Sequence, residues 1–96
     1  MKNYAVFLEG NNFELTRKGA KNVVGFFVTV RVETASEYEA TALAIEIVKS
    51  YELLKEAFNP NATVTPRLDA KVVHELLPNN KMKNTELVFF PMADEA

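Results

Sequence analysis

A chain of 96 residues is long enough for one packed core and too short for two. Hydrophobic residues at 48% and charged residues at 25% are ordinary globular values, which excludes disorder as the main state. Eleven basic against thirteen acidic residues leave a net charge of -2, no cysteine is present for a disulfide or thiolate site, and no apolar run approaches the ~20 residues of a membrane-spanning helix.

Tyr4 to Glu9 predicts a first strand, and Gly10-Asn11-Asn12 supplies turn chemistry after it. Asn tolerates the positive φ of tight hairpins, so a short partner strand, Phe13 to Thr16, is expected next. A second break falls between Arg17 and Asn22, around Gly19. Val23 to Thr34 then alternates strictly: Phe26, Val28, Val30 and Val32 on one face, Phe27, Thr29, Arg31 and Glu33 on the other. A period of two is the pattern of a half-buried strand.

Ser36 and Glu39 stand in the spacing of a capping box, in which each side chain satisfies a backbone N–H at a helix start. Ala40, Leu43, Ala44, Ile47, Tyr51, Leu54 and Phe58 follow at three- and four-residue steps. This stripe predicts one helix running to Asn59-Pro60, where proline ends it, about 22 residues and roughly 33 Å long. Leu68 to Leu77 returns to alternation, with Ala70, Val72, His74 and Leu76 on one face and Lys71, Val73, Glu75 and Leu77 on the other. Pro78-Asn79-Asn80 opens a polar turn, and Glu86 to Phe90 reads as a last strand before Pro91. The order β-β-β-α-β-β predicts a single α+β domain over residues 1–96, with 92–96 as a terminal tail. Its expected form is a mainly antiparallel sheet of four to five strands with one long helix on one face.

One helix shields only one face of such a sheet. The opposite face is expected to hold Phe7, Phe27, Thr29, Arg31, Val73, Leu77 and, depending on register, Phe89 or Phe90. An apolar set of that size on an open face marks an interaction site. A second copy of the chain is the first expected occupant, since a two-fold dimer buries one patch on two identical subunits. The competing expectation is that a loop or the residues from Pro91 onward fold over it.

Motifs for chemistry are sparse. His74 is the single histidine, and on a face with Ala70, Val72 and Leu76 it is expected at the core margin, neutral and hydrogen-bonded. Glu75 points the other way and cannot orient it as a catalytic base. One histidine without cysteine gives no recognisable metal-ligand spacing, and the three glycines, at 10, 19 and 25, form no phosphate-binding loop. No cofactor and no catalytic residue is therefore expected. Residues 1–32 carry five basic and two acidic groups, while 33–56 carry two basic and six acidic groups. Arg17, Lys18 and Lys21, with Lys81 and Lys83, are the candidate nucleic-acid contacts, although the negative net charge argues against that partner.

The run Gly25-Phe26-Phe27-Val28-Thr29-Val30-Arg31-Val32-Glu33, the alanine-rich helix after it and the ending Phe89-Phe90-Pro91-Met92 resemble small uncharacterised bacterial proteins of unknown function. That resemblance implies a bacterial, cytoplasmic origin. The β-β-β-α-β order, with Glu33-Thr34-Ala35-Ser36-Glu37-Tyr38 opening the helix, is similar to the partial ribonuclease-H-like domain of HicB antitoxins. The chain lacks that family's acidic-glycine hairpin and its Pro-Asp-x-x-Gly stretch, and neither resemblance carries a functional residue across. The expectation is a non-enzymatic, cytoplasmic protein that self-associates through its open sheet face. The alternative is a small protein- or nucleic-acid-binding module, and the third reading is an enzyme using His74.

Overall fold

The computed structural model describes residues 1–60 and 62–92. Asn61 and the expected tail beyond Met92 lie outside the described residues. Two long strands, β1 (Lys2–Arg17) and β2 (Ala20–Thr34), form an antiparallel hairpin. Helix α1 (Glu37–Lys49), a 3₁₀ segment (Glu52–Phe58), β3 (Arg67–Leu76) and β4 (Val88–Pro91) follow. The four strands make one sheet in the order β3-β1-β2-β4, every neighbour antiparallel. The expected α+β architecture with helical cover on one face is present, with four strands and a shorter helix.

The hairpin turn sits at Lys18-Gly19, where both residues have positive φ, 53° and 81°. A two-residue turn of that kind matches the twist of the flanking strands. The turn expected at Gly10-Asn11-Asn12 is instead a bulge. Only Asn12 adopts positive φ there, 62°, and the β1·β2 register shifts by one residue between Gly10 and Phe13. The extra residue changes which positions face inward, from Tyr4, Val6 and Leu8 before it to Phe13 and Leu15 after it. Phe13 to Thr16 is thus the far half of β1 and not a separate strand.

Ser36 caps α1 by accepting from the Glu39 N–H at 3.2 Å, and the Glu39 carboxylate returns a bond to the Ala35 N–H at 3.2 Å. The capping box forms with its return bond one residue earlier than the usual pattern. The expected 22-residue helix does not persist. Ser50 donates its hydroxyl to the Ile47 carbonyl at 2.6 Å, and Tyr51 is extended, with φ -65° and ψ 128°. The break redirects the chain so that Leu54 and Ala57 remain buried while Phe58 packs edge-on against Phe13, ring centroids 5.4 Å apart. It also brings Glu56 to the β1 edge, where it accepts from the N–H and hydroxyl of Thr16. β3 pairs with β1 only as far as Asn11, so the 3₁₀ segment satisfies an edge that the sheet leaves open.

The core lies between α1 and the inner sheet face. Val6, Leu8, Phe26, Val28 and Val30 meet Ala40, Ala44 and Val48, and the alanines let the helix approach closely. Phe13 packs edge-on to Phe26 at 4.8 Å, and Phe89 joins them from β4. Gly10 makes this packing possible: a Cβ there would lie 2.3 Å from the Phe26 ring.

β3 corrects the expected facing of its residues. Lys71 is an extra residue in the β1·β3 register, which shifts between Phe7 and Leu8. Leu68, Ala70 and Val73 pack toward the core, while Val72 stands opposite Phe7 and His74 opposite Ala5 on the other face. Val73 therefore leaves the open face on which the sequence placed it, and Val72 takes its position. His74 is exposed and not at the core margin, for the same reason.

Candidate interaction face

The face away from α1 is organised around three aromatic rings from three strands. Phe7 of β1 stacks on Phe27 of β2 with centroids 5.5 Å apart and planes 14° from parallel. Phe27 in turn meets Phe90 of β4 at 5.0 Å. Phe90 reaches this position because residue 25 has no side chain, since a Cβ on Gly25 would lie 2.2 Å from its ring. Register settles which phenylalanine of β4 joins the row: Phe89 pairs with the inward-facing Phe26, so Phe90 faces out. Val72 extends the row across Phe7 onto β3. Phe27 is 36% exposed and Val72 52% exposed, values high for apolar side chains inside a sheet.

The other end of this face is covered. To pass from β3 to β4, at opposite edges of the sheet, residues 77–87 cross the molecule, and Asn3 and Arg31 pin them. The Asn3 side-chain amide, buried on the sheet, donates to the carbonyls of Leu77 at 3.0 Å and Asn80 at 2.8 Å. The Arg31 guanidinium donates to the Met82 carbonyl, the Asn3 side-chain oxygen and the Glu33 carboxylate, at 3.0, 3.1 and 2.9 Å. Along the β2 edge, Thr29 exchanges bonds with Thr85, and the Arg31 N–H donates to the Asn84 side chain at 2.7 Å.

Of the residues expected on this face, Phe7, Phe27 and Phe90 come together, and Thr29 stands beside Phe7 as its cross-strand partner. Arg31 is committed to the crossover, and Leu77, exposed, begins it. Val73 is turned toward the core. Val72 and Asn3 had no signal in the sequence: Val72 and Val73 are adjacent and chemically alike, and a lone asparagine in a strand looks like any polar residue.

The polar groups bordering the row are balanced. Lys71 lies 3.6 Å from Glu9, and Arg67 lies 3.5 Å from Asp69. The basic residues considered for nucleic acid do not converge. Arg17, Lys18 and Lys21 surround the hairpin turn, whereas Lys81 and Lys83 lie on the crossover, near Asn3 at the opposite end of β1. The molecule is 44 Å long, so they form two clusters and no single track. The His74 side chain makes no hydrogen bond among the described residues, and no three metal-ligating side chains cluster among them. No helix among them is long and apolar enough to cross a membrane. The Thr16 hydroxyl, then the Thr16 N–H, hold the Glu56 carboxyl below the ordinary value of 4.5, with a smaller contribution from Lys21. No protein-family model, no curated protein and no solved structure matches the chain.

Proposed function

We propose that the protein is a non-enzymatic α+β domain that associates with a second copy of itself through the sheet face opposite α1. The observation that carries the reading is the row Val72, Phe7, Phe27 and Phe90, which runs across all four strands on the face without a helix. A copy of the chain is favoured over an acidic or basic partner by the rim. Glu9, Asp69 and Glu33 are offset by Lys71, Arg67 and Arg31, so two such faces meet without net repulsion.

The area sets the expected strength. Three strand spacings of ~4.8 Å, with side-chain width added, make the row roughly 20 Å long and one side chain deep. A standard interface buries about 800 Å² per partner, several times what one such row offers, so the association is expected to be weak and transient.

Phe27→Glu places a carboxylate at the centre of the row and is expected to give a folded monomer by sedimentation at concentrations where the parent is dimeric. Val72→Glu, at a more exposed position on the outer strand, provides the same test with less risk to the fold. Folded variants that sediment like the parent contradict the proposal.

A further inference from the structure

The crossover that covers one end of the open face also restricts how a second copy can sit on the aromatic row. Its course follows from the residues that pin it. Asn3 stands four residues from Phe7 along β1, and Arg31 stands four residues from Phe27 along β2. At roughly 3.3 Å per residue, the crossover therefore runs beside the row, about 13 Å from it. It also stands higher than the row's base. The carbonyls of Leu77 and Asn80 rest on the Asn3 side-chain amide at 3.0 and 2.8 Å, so backbone lies on top of the side-chain layer there. On the other flank, toward the hairpin turn, the face consists of side chains alone among the described residues. Glu9 and Asn11 of β1, Val23 of β2 and Phe90 of β4 form it.

Sheets packed face to face lie about 10 Å apart, a gap that the two layers of side chains fill. Two copies can superpose their rows about a two-fold axis in two ways. With the axis across the row, the two crossovers fall on the same side and oppose each other. Two backbone layers then stand in the gap and hold the rings apart. Lys81 and Lys83, exposed on the crossover, also meet the same lysines of the other copy. With the axis along the row, each crossover falls over the hairpin flank of the other copy, and the rows can close. Its lysines then arrive on the side of Glu9 and Asp69. We propose, resting on the self-association through this face, that the two-fold axis runs along the row Val72, Phe7, Phe27 and Phe90. Each side chain of the row then meets its own counterpart. The row supplies the apolar contact, and the crossover sets the orientation.

The chain contains no cysteine, so single introduced thiols report the axis. Val72 on β3 and Val88 on β4 mark the two ends of the face and are 52% and 61% exposed. An axis along the row sets Val72 against the partner's Val72, within reach of a short bis-maleimide. An axis across the row separates the two by a further three strand spacings, about 14 Å, and brings Val72 to the β4 end instead. Val72→Cys is expected to cross-link with itself roughly tenfold faster than Tyr38→Cys, the advantage of effective concentration within a pair. Tyr38, exposed on α1, reports random collision. A mixture of Val72→Cys and Val88→Cys is expected to give mixed product only at that collision rate. Mixed product in excess overturns the proposed axis. So does Val72→Cys linking to itself at the collision rate while sedimentation shows the parent associating. Both results leave self-association through the face standing, whereas a parent that stays monomeric overturns the axis and the self-association together.

Discussion

Phe26 and Phe27 are neighbours in one strand, so only one can enter the core, and Gly10 leaves the space that the buried Phe26 ring fills. Gly10 lies directly opposite Phe26, and a methyl group there would come within 2.3 to 2.8 Å of three atoms of its ring. The ring cannot move aside, because Phe26 is fully buried and held edge-on by Phe13 at 4.8 Å and Phe89 at 6.0 Å. Overpacking of a filled core costs about 1–3 kcal/mol. Replacing glycine by alanine also restricts the unfolded chain, which returns roughly 0.4–1 kcal/mol. Gly10→Ala is therefore expected to destabilise the fold by about 1–2 kcal/mol, a fall of roughly 5–10 °C in Tm for a domain of this size. In a Phe26→Leu background the clash is gone, and the same substitution is expected to be neutral or slightly stabilising. Urea unfolding of the four proteins of this double-mutant cycle measures the coupling, expected at about 1–2 kcal/mol. Additive effects, within about 0.5 kcal/mol, would refute the reasoning.

Three further substitutions probe other parts of the account. Asn3→Ala removes two bonds to the crossover and the acceptor for Arg31, and is expected to cost about 2–3 kcal/mol in urea unfolding; a loss below about 0.5 kcal/mol would mean that the crossover is held elsewhere. Ser36→Ala is expected to cost about 1 kcal/mol and to lower helical circular dichroism; Glu39→Ala should cost less, since its return bond is on the exposed surface. Glu56 has its folded pKa below its ordinary 4.5, so its bond to Thr16 supports the fold above that value. That support is lost as the pH falls through the lower folded midpoint. An NMR titration of its carboxyl should show the low midpoint, and Thr16→Val should move it up, because the hydroxyl is the largest cause.

Much of the architecture can be read from single residues. The alternation from Phe26 to Glu33 identifies both faces of β2, because four successive apolar positions of a period-two pattern leave one register. Ser36 and Glu39 locate the helix start to within a residue. The errors come from places where two outcomes satisfy the same local chemistry. Asn11-Asn12 suits a turn or a bulge, and the hairpin turn falls at Lys18-Gly19, where both residues adopt positive φ. Val72-Val73 fits either facing, so the Lys71 bulge decides it through the pairing of β3 with β1, which the local sequence does not contain. The helix stripe runs unbroken to Phe58, yet the chain bends at Ser50 so that Leu54 and Phe58 can reach a twisted sheet. The candidate face was legible in Phe7 and Phe27, and only the register distinguished Phe90 from Phe89.

The most direct test of the central proposal is the mass of the unmodified chain in solution, measured by light scattering behind a sizing column over a dilution series. The account predicts a mass near twice 10.8 kDa at high concentration, falling toward 10.8 kDa on dilution. A mass that stays at 10.8 kDa up to millimolar concentration, with the fold intact, would contradict it.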